Sequence, residues 1–229
     1  MGALYIVSTP IGNLEDITIR ALKTLFSVDI IACEDTRRTG ILLRQVKKYI
    51  DNLTATATRL SMVRFDDRTE NQKTPWLVEQ LLQGKKVALV SDAGTPLISD
   101  PGYRLVREAI KRGITVVSIP GPTAAIAALT VSGLPTNHFM FMGYPPEKQS
   151  RRTKLFQTLP KDTTIIFYCA PHKLQQTLGD MQSVFGDIPI VIARELTKIH
   201  EEVWRGKLSE AINYYSNPQG EFVFLLQLP

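Results

Sequence analysis

Short apolar runs of strand length alternate with amphipathic segments through the first half of the chain. The runs are continuously apolar, a pattern typical of strands that are buried on both faces of a parallel sheet. Strands are predicted at Ala3–Val7, Asp29–Cys33, Met62–Phe65, Val87–Val90 and Thr115–Ile119. Helices are predicted at Ile17–Phe26, Thr39–Lys48, Asn71–Gln83 and Tyr103–Lys111, and a polar, Thr-rich loop at residues 50–61. This alternation predicts an α/β fold with helices on both faces of a mostly parallel sheet.

The rhythm changes after Pro122. Strands are predicted at Phe139–Met142, Thr164–Tyr168, Ile190–Glu195, Glu201–Arg205 and Glu221–Gln227, and helices at Thr123–Val131, Arg151–Leu159, His172–Gln182 and Leu208–Tyr215. Only a few residues separate Ile190–Glu195 from Glu201–Arg205, which predicts an antiparallel hairpin. The second half is therefore predicted to be a mixed sheet with helices. We place the boundary at Pro120–Pro122, with an N-terminal α/β domain at 1–120 and a C-terminal α/β domain at 121–229.

Composition narrows the class of partner. The 229 residues carry a net charge of +5, and such a basic balance favours polyanionic partners such as RNA. Two distant cysteines and three histidines match no zinc or disulfide pattern, so no metal is predicted. The apolar runs are too short to span a membrane, and Met1–Ser8 lacks the basic flank of a signal peptide. A cytoplasmic protein is expected.

Several nucleotide and hydrolase motifs are absent from the sequence. It contains no G-x-G-x-x-G fingerprint and no G-x-x-x-x-G-K-[ST] phosphate loop. It also lacks H-E-x-x-H and G-x-S-x-G. These absences argue against hydride transfer, P-loop chemistry and the common hydrolase mechanisms.

The most informative loop is Ser91–Gly102, which follows a predicted buried strand and precedes a predicted helix. Ligands of open α/β sheets bind at the carboxyl ends of the strands. Glycines allow a ligand to approach the backbone closely, and prolines restrict the shape of the loop. The loop is therefore a candidate ligand site, the alternative being glycines and prolines that only make turns.

Four further segments follow predicted strands or join them. They are Thr9–Asn13, Glu34–Arg38, Pro120–Ala125 and Ala193–Lys198. Carboxylates beside guanidinium groups in Glu34–Arg38 suit a polar substrate, and the helix start within Pro120–Ala125 suits an anion. A surface salt-bridge cluster and ordinary hairpin polar residues are the alternatives for Glu34–Arg38 and Ala193–Lys198, respectively.

Basic residues cluster on two predicted helices. One group is Lys148, Arg151, Arg152 and Lys154, and the other is Arg37, Arg38, Arg44, Lys47 and Lys48. Such patches contact phosphates without distinguishing sequence. The alternative is that each is simply a solvated helix face.

In their order along the chain, five segments resemble the ribosomal RNA small subunit methyltransferase I family, which has the tetrapyrrole-methylase fold. These segments are Leu4–Leu14, Glu34–Arg37, Ser91–Gly102, Pro120–Ala125 and Ala193–Lys198. The resemblance extends over almost the whole chain. It departs at Asp66–Glu70, where the family usually has a His-rich stretch, at Cys169, where it usually has Glu, and after Pro229, where relatives often continue.

The resemblance implies an S-adenosylmethionine-dependent methyltransferase that acts on the 2′-hydroxyl of a cytidine ribose in small-subunit ribosomal RNA, as a homodimer. It also implies a cofactor cleft between the two domains, with contacts at Gly94, Thr95, Pro96, Ile98, Ser99, Thr123, Ala124, Tyr168, Leu196 and Gly220. Pro10 and Asp92 join this set because each lies in a candidate loop that follows a predicted strand. Substrate contacts are expected at Glu34, Arg37, Arg151 and Arg152.

The reaction needs an acceptor for the hydroxyl proton, and Asp35, Glu195 and Lys198 are the candidates. A lysine beside a cationic sulfonium would have a lowered pKa. Two other functions stay open: methylation of a small tetrapyrrole on the same fold, and a non-catalytic RNA-binding module.

Overall fold

The structure is a computed structural model that describes residues 2–49 and 60–228. The chain divides into two compact units, the first ending at Thr123 and the second beginning at Ala124. Residues 50–59, most of the predicted Thr-rich loop, lie outside the described residues. No described helix has the length and apolar character needed to cross a membrane.

The first unit is a parallel sheet with helices on both faces, as predicted. Its strands are β1 Ala3–Val7, β2 Ile30–Cys33, β3 Ser61–Arg64, β4 Lys86–Val90 and β5 Thr115–Ile119, in the order β3-β2-β4-β1-β5. Every pairing between neighbours is parallel. Its helices are α1 Ile19–Leu25, α2 Thr36–Val46, α3 Glu70–Leu82 and α4 Tyr103–Lys111, with short 3-10 turns at Leu14–Asp16 and Lys47–Tyr49.

Two apolar clusters cover the opposite faces of this sheet. One packs Leu4, Ile30 and Val87 against α3 and α4, and the other packs Val7, Ile31 and Ala88 against α1 and α2. Neighbouring residues of one strand thus enter opposite clusters, as Ile30 and Ile31 do. This two-sided burial explains why the strands are continuously apolar in sequence.

Helix α2 begins three residues earlier than the sequence predicts. The carboxylate of Asp35 accepts hydrogen bonds from the backbone N–H groups of Arg37 at 2.7 Å and Arg38 at 3.4 Å. An N-cap of this kind satisfies donors that a helix start would otherwise leave unpaired. The apolar periodicity that begins at Thr39 gives no sign of this polar first turn.

The second unit contains a mixed sheet, also as predicted. Its elements are α5 Ala124–Ser132, β6 Phe139–Phe141, α6 Gln149–Gln157, β7 Thr164–Cys169, α7 Pro171–Phe185, β8 Pro189–Arg194, β9 Glu202–Lys207, α8 Leu208–Tyr214 and β10 Phe222–Gln227. The strand order is β6-β7-β10-β8-β9, and only β6 and β7 pair in parallel. The predicted hairpin is present, with Arg194 opposite Glu202 in its register.

The structure corrects one predicted RNA contact, Arg152. Its side chain is only 1% exposed and pairs with Asp180, to which Nε donates at 2.7 Å. Its Nη1 donates to the backbone oxygens of Pro146 and Glu147, both at 2.9 Å. The guanidinium is therefore buried and already hydrogen-bonded to protein groups, so it cannot bind a phosphate. The neighbouring Arg151 is exposed.

Adjacent arginines on α6 should therefore respond differently to mutation. Arg152→Ala leaves the buried Asp180 without its cationic partner, so we expect a loss of roughly 3–5 kcal/mol in the free energy of unfolding. Arg151→Ala should change that free energy by less than about 0.5 kcal/mol. Urea unfolding of both variants measures the difference, and similar stabilities would contradict the structural role of Arg152.

Candidate active site

Two loops predicted to form a site are joined at the carboxyl ends of β1 and β4. Thr9 and Gly94 exchange both backbone hydrogen bonds, with N···O distances of 2.9 and 3.1 Å. Gly94 has a φ of +85°, and a Cβ there would lie 3.2 Å from Cγ2 of Ile11. This position therefore favours glycine for backbone conformation as well as for space.

A chain of hydroxyl groups adds the segment after β5 to these loops. Oγ1 of Thr95 lies 3.0 Å from Oγ of Ser8 and 2.6 Å from Oγ1 of Thr123. It also lies 2.9 Å from the backbone oxygen of Pro122. Sequence analysis named Thr95 and Thr123 but missed Ser8, which looks like the ordinary end of an apolar strand.

Left-handed backbone conformations concentrate in two of the predicted site segments. Among the described residues, five that are not glycine have positive φ. Leu97 and Ser99 belong to the Ser91–Gly102 loop, and Glu195 and Thr197 belong to the turn after β8. Such strained residues cluster at ligand sites, where the surrounding structure over-determines them.

The segment after β2 meets the Ser91–Gly102 loop through polar contacts. Oε1 of Glu34 accepts a hydrogen bond from the backbone N–H of Asp92 at 3.1 Å. Arg38 pairs with Oδ2 of Asp92 at 3.0 Å. The other oxygen of Asp92, Oδ1, is buried and has no hydrogen-bond partner within the described part of the chain.

These groups border a cavity of about 540 Å³ in the first unit. Its lining residues are Glu34, Asp35, Thr36, Arg37, Arg38, Arg64, Asp66 and Asp92. Ligand pockets commonly have volumes of ~300–1,000 Å³, so this one can hold a small ligand or one nucleotide. The cavity combines guanidinium groups with carboxylates, the chemistry expected for a polar, anionic substrate.

Carboxyl groups along this edge experience opposite environments. Hydrogen bonds from the backbone, first that of Arg37, lower the pKa of Asp35. The charges of the Arg37 and Arg38 guanidinium groups contribute less, so Arg37 lowers the pKa of Asp35 mainly through its backbone N–H. Burial, by contrast, raises the pKa of Glu34. Burial and then the negative charge of Glu34 raise the pKa of Asp100 to about 7.

In the second unit, the turn after β8 is held by an ion-pair network. Nζ of Lys198 contacts Oε1 of Glu195 at 2.9 Å and Oε2 of Glu221 at 3.0 Å. Oε1 of Glu195 also accepts the backbone N–H of Glu221 at 2.9 Å. A Cβ on Gly220 would lie 2.7–2.8 Å from the Glu195 side chain, so this predicted cofactor residue packs directly against the turn.

This network determines the protonation of Lys198. Burial acts to lower its pKa, but the hydrogen bonds to Glu195 and Glu221 outweigh burial, so the pKa of Lys198 is raised. The lowered pKa expected beside a sulfonium is thus not what the surrounding protein produces. Lys198 is a charged, paired ammonium, and Glu195 is its partner.

Tyr168 and the start of α5 are also brought together in the second unit. The backbone N–H of Ala125 donates to the hydroxyl oxygen of Tyr168 at 3.2 Å. This places Tyr168 beside Ala124, another predicted cofactor residue. The following residue, Cys169, is buried, and burial raises the pKa of its thiol to about 12, so it stays neutral.

Comparisons with known proteins support the resemblance seen in the sequence. The model of the tetrapyrrole (corrin/porphyrin) methylases matches residues 3–212. The chain belongs to this methylase family. It is 45% identical over 228 residues to "Ribosomal RNA small subunit methyltransferase I" of Thermotoga maritima, covering 99% of this chain and 98% of that protein.

A second relative and a solved structure agree with this assignment. The relative of the same name from Halalkalibacterium halodurans is 47% identical over 229 residues, covering 99% of this chain and 76% of that protein. A crystal structure of uroporphyrin-III C-methyltransferase from Thermus thermophilus in complex with S-adenosylhomocysteine has a TM-score of 0.64 at 16% identity, with 99% and 97% of the chains covered. It shares the fold. The predicted family and fold are therefore confirmed.

Three residues that line the cavity of this methylase or interact with its carboxylates were not predicted as site residues from the sequence. Arg64 and Asp66 line the cavity, and Asp100 interacts electrostatically with its carboxylates. Arg64 is the last residue of β3 and the last but one of the strand predicted at Met62–Phe65, a position near a strand end that could have pointed to the site. Asp66 falls in the segment that departs from the family pattern. Asp100 belongs to the Ser91–Gly102 loop that was predicted to form a site, although it was not itself named as a site residue.

The raised pKa of Asp100 predicts a pH-dependent stability in this methylase. Between its ordinary value of 3.8 and about 7, the folded protein retains a proton that the unfolded chain has released. The stability that this retained proton contributes is therefore complete below pH 3.8 and is lost as the pH rises through about 7.

Asp100→Asn removes the titrating group. We therefore expect the free energy of unfolding of the variant, relative to wild type, to increase between about pH 4 and about pH 8. Urea unfolding of both proteins at several pH values measures this difference. A difference independent of pH would show that Asp100 ionises normally.

Proposed function

We propose that the protein transfers a methyl group from S-adenosylmethionine to the 2′-hydroxyl of a cytidine ribose in small-subunit ribosomal RNA, in the cytoplasm. The observation that carries this proposal is the cavity at the end of β2, where guanidinium and carboxylate groups adjoin the strained Ser91–Gly102 loop. The similarity over the full chain to ribosomal RNA methyltransferases supports the same substrate.

The residues of the candidate site suit the cofactor. Asp92 offers a buried carboxylate oxygen that lacks a donor among the described residues, and a cofactor hydroxyl or amino group could supply one. The residues of the first unit that would hold S-adenosylmethionine are Pro10, Gly94, Thr95, Pro96, Ile98, Ser99 and Thr123. Those of the second unit are Ala124, Tyr168, Leu196 and Gly220. When bound, the cofactor would supply a methyl group activated by a sulfonium, for in-line displacement by an oxygen nucleophile with S-adenosylhomocysteine as the leaving group.

Protein groups would then orient the ribose and accept its proton. Arg37 is exposed, and its guanidinium has no hydrogen bond or ion pair in the described part of the chain, so it is available for a phosphate. Glu34 borders the same cavity and could orient the ribose. Positioning of this kind supplies much of the catalysis when the methyl donor is already activated.

Asp35 is the best of the three candidate proton acceptors. Lys198 carries a proton that its carboxylate partners stabilise, and Glu195 is committed to Lys198. Oδ1 of Asp35 accepts the hydrogen bonds that cap α2, and the carboxylate lines the cavity. The capping bonds lower its basicity, so its contribution would depend on placement beside the hydroxyl.

The tetrapyrrole alternative receives less support. The structures of tetrapyrrole methyltransferases are 16–19% identical to this chain, against 43–48% for the ribosomal RNA enzymes. The test is transfer of a tritiated methyl group from S-adenosylmethionine to unmethylated small ribosomal subunits, with tetrapyrrole precursors as rival acceptors. Label in the tetrapyrrole alone would overturn the proposal.

The cofactor assignment predicts a specific defect at Gly94. Gly94→Ala adds a methyl group 3.2 Å from Ile11 and strains a left-handed backbone, so it should reshape the loop and weaken S-adenosylmethionine binding at least tenfold by calorimetry. Gly84→Ala is the matched control because Gly84 has a similar φ of +94° with open space around it. Equal cofactor affinities in the two variants would remove the loop from the cofactor site. A wild type that binds no cofactor would favour a non-catalytic RNA-binding module.

The role of Asp35 is tested by Asp35→Asn. Asparagine caps helices about as well as aspartate, so thermal stability should stay near that of wild type. Turnover should fall by ~10²-fold or more because the proton acceptor is lost, while cofactor affinity is retained. Near-normal turnover in the folded variant would exclude Asp35 as the acceptor.

A further inference from the structure

Arg64 has an unusually defined orientation for an exposed side chain. It ends β3 and lines the cavity, and its side chain is 66% exposed. Its Nε and Nη2 both contact Oδ2 of Asp66, at 2.8 and 2.7 Å. One edge of the guanidinium is therefore fixed, and the N–H groups of Nη1 remain on the other side.

Asp66 is itself held in place. Its Oδ1 accepts the backbone N–H of Thr69 at 2.9 Å and the hydroxyl of Thr69 at 2.8 Å. The hydrogen bond from the Thr69 side chain is the main reason that the pKa of Asp66 is lowered, which keeps the carboxylate charged. At 17% exposure this side chain is a largely buried support for a guanidinium that stands in solvent.

The same segment is tied to the candidate cofactor loop. Oε1 of Glu70 accepts the backbone N–H groups of Gly102 at 3.0 Å and Arg104 at 3.1 Å. Thr69, Asp66 and Arg64 are thus connected to the end of the Ser91–Gly102 loop by hydrogen bonds and one short stretch of chain. A ligand group held by Arg64 would have a defined position relative to that loop.

Stability alone does not account for this arrangement. An ion pair with one exposed partner adds little to stability because water screens it and the long side chain loses freedom. A guanidinium whose position is fixed in advance, however, binds a phosphate without the cost of ordering it, and its planar fork matches phosphate geometry.

We propose that Arg64 binds a backbone phosphate of the RNA substrate and that Asp66 is the residue that positions it. The inference rests on the proposed function and deepens it, because it identifies the cavity wall that receives the phosphodiester. Arg64 supplies charge and hydrogen-bond donors, while Asp66 supplies orientation at the expense of a nearby negative charge.

The negative charge of Asp66 makes the proposal testable, because the two explanations predict opposite effects of Asp66→Asn on RNA affinity. If only net charge mattered, Asp66→Asn would remove repulsion and strengthen RNA binding. If Asp66 positions Arg64, the same substitution weakens binding. Asparagine retains an oxygen that can accept from Thr69, so the local fold should persist.

The experiment uses the full chain and a small-subunit ribosomal RNA transcript. Affinity is measured over a series of salt concentrations for wild type, Arg64→Ala, Arg64→Lys, Asp66→Asn and the Arg64→Ala/Asp66→Asn double variant. Lys111→Ala and Glu108→Gln are the matched controls, because these residues form a similar pair on α4, 2.8 Å apart. KM and kcat for unmethylated small subunits are measured in parallel.

Arg64→Ala should lower the slope of log affinity against log salt by about 0.7–0.9, the loss of one phosphate contact. Arg64→Lys should keep the slope but bind more weakly. Asp66→Asn should also weaken binding in the wild-type background and have no weakening effect when Arg64 is already alanine. KM should rise with little change in kcat, and both controls should resemble wild type.

Two results would overturn the inference: an unchanged salt slope in Arg64→Ala, or tighter RNA binding by Asp66→Asn. The binding measurements do not require methyl transfer. A wild type that binds the transcript with this dependence on Arg64 but methylates no subunit would therefore refute the proposed function and leave the phosphate contact standing.

Discussion

The first unit depends on burial of both faces of its parallel sheet. Apolar clusters on both sides fill the inner strands of the sheet, so the charged residues of the site follow those strands or, as Arg64 does, end the edge strand β3. Because all the pairings are parallel, the carboxyl ends of the strands lie along one edge. Glu34, Arg64 and Asp92 therefore reach one cavity although they are far apart in sequence. The site is a geometric consequence of strand direction combined with apolar burial.

The carboxyl groups along this edge have pKa values that are shifted in opposite directions by their local surroundings. Hydrogen-bond donors lower the pKa values of Asp35 and Asp66, whereas burial raises those of Glu34 and Asp100. Aspartate thus has a lowered pKa at Asp35 and Asp66 and a raised pKa at Asp100, because the surroundings of these side chains differ. Such divided environments are typical of sites that both bind charged groups and move protons.

In the second unit, the antiparallel strand pairs of the mixed sheet bring the predicted site residues together. Phe222 pairs with Cys169 on one side and Arg194 on the other, so the start of β10 lies between the ends of β7 and β8. That register brings Gly220 against Glu195 and fixes the strained turn through Lys198. On α6 of the same unit, helical phase leaves Arg151 exposed and buries the adjacent Arg152 against Asp180.

The sequence by itself determined the fold class, the order of the elements and most of the strand-end segments, because apolar periodicity and Gly-Pro loops are local signals. It also carried the family resemblance. Tertiary structure decided which of these segments meet, the capping role of Asp35, the burial of Arg152 and the orientation of Arg64 by Asp66. Those properties depend on register, helix phase and hydrogen bonds between groups distant in the chain. Composition and spacing cannot encode them, since Arg151 and Arg152 are identical as letters and differ only in the direction in which the helix presents them.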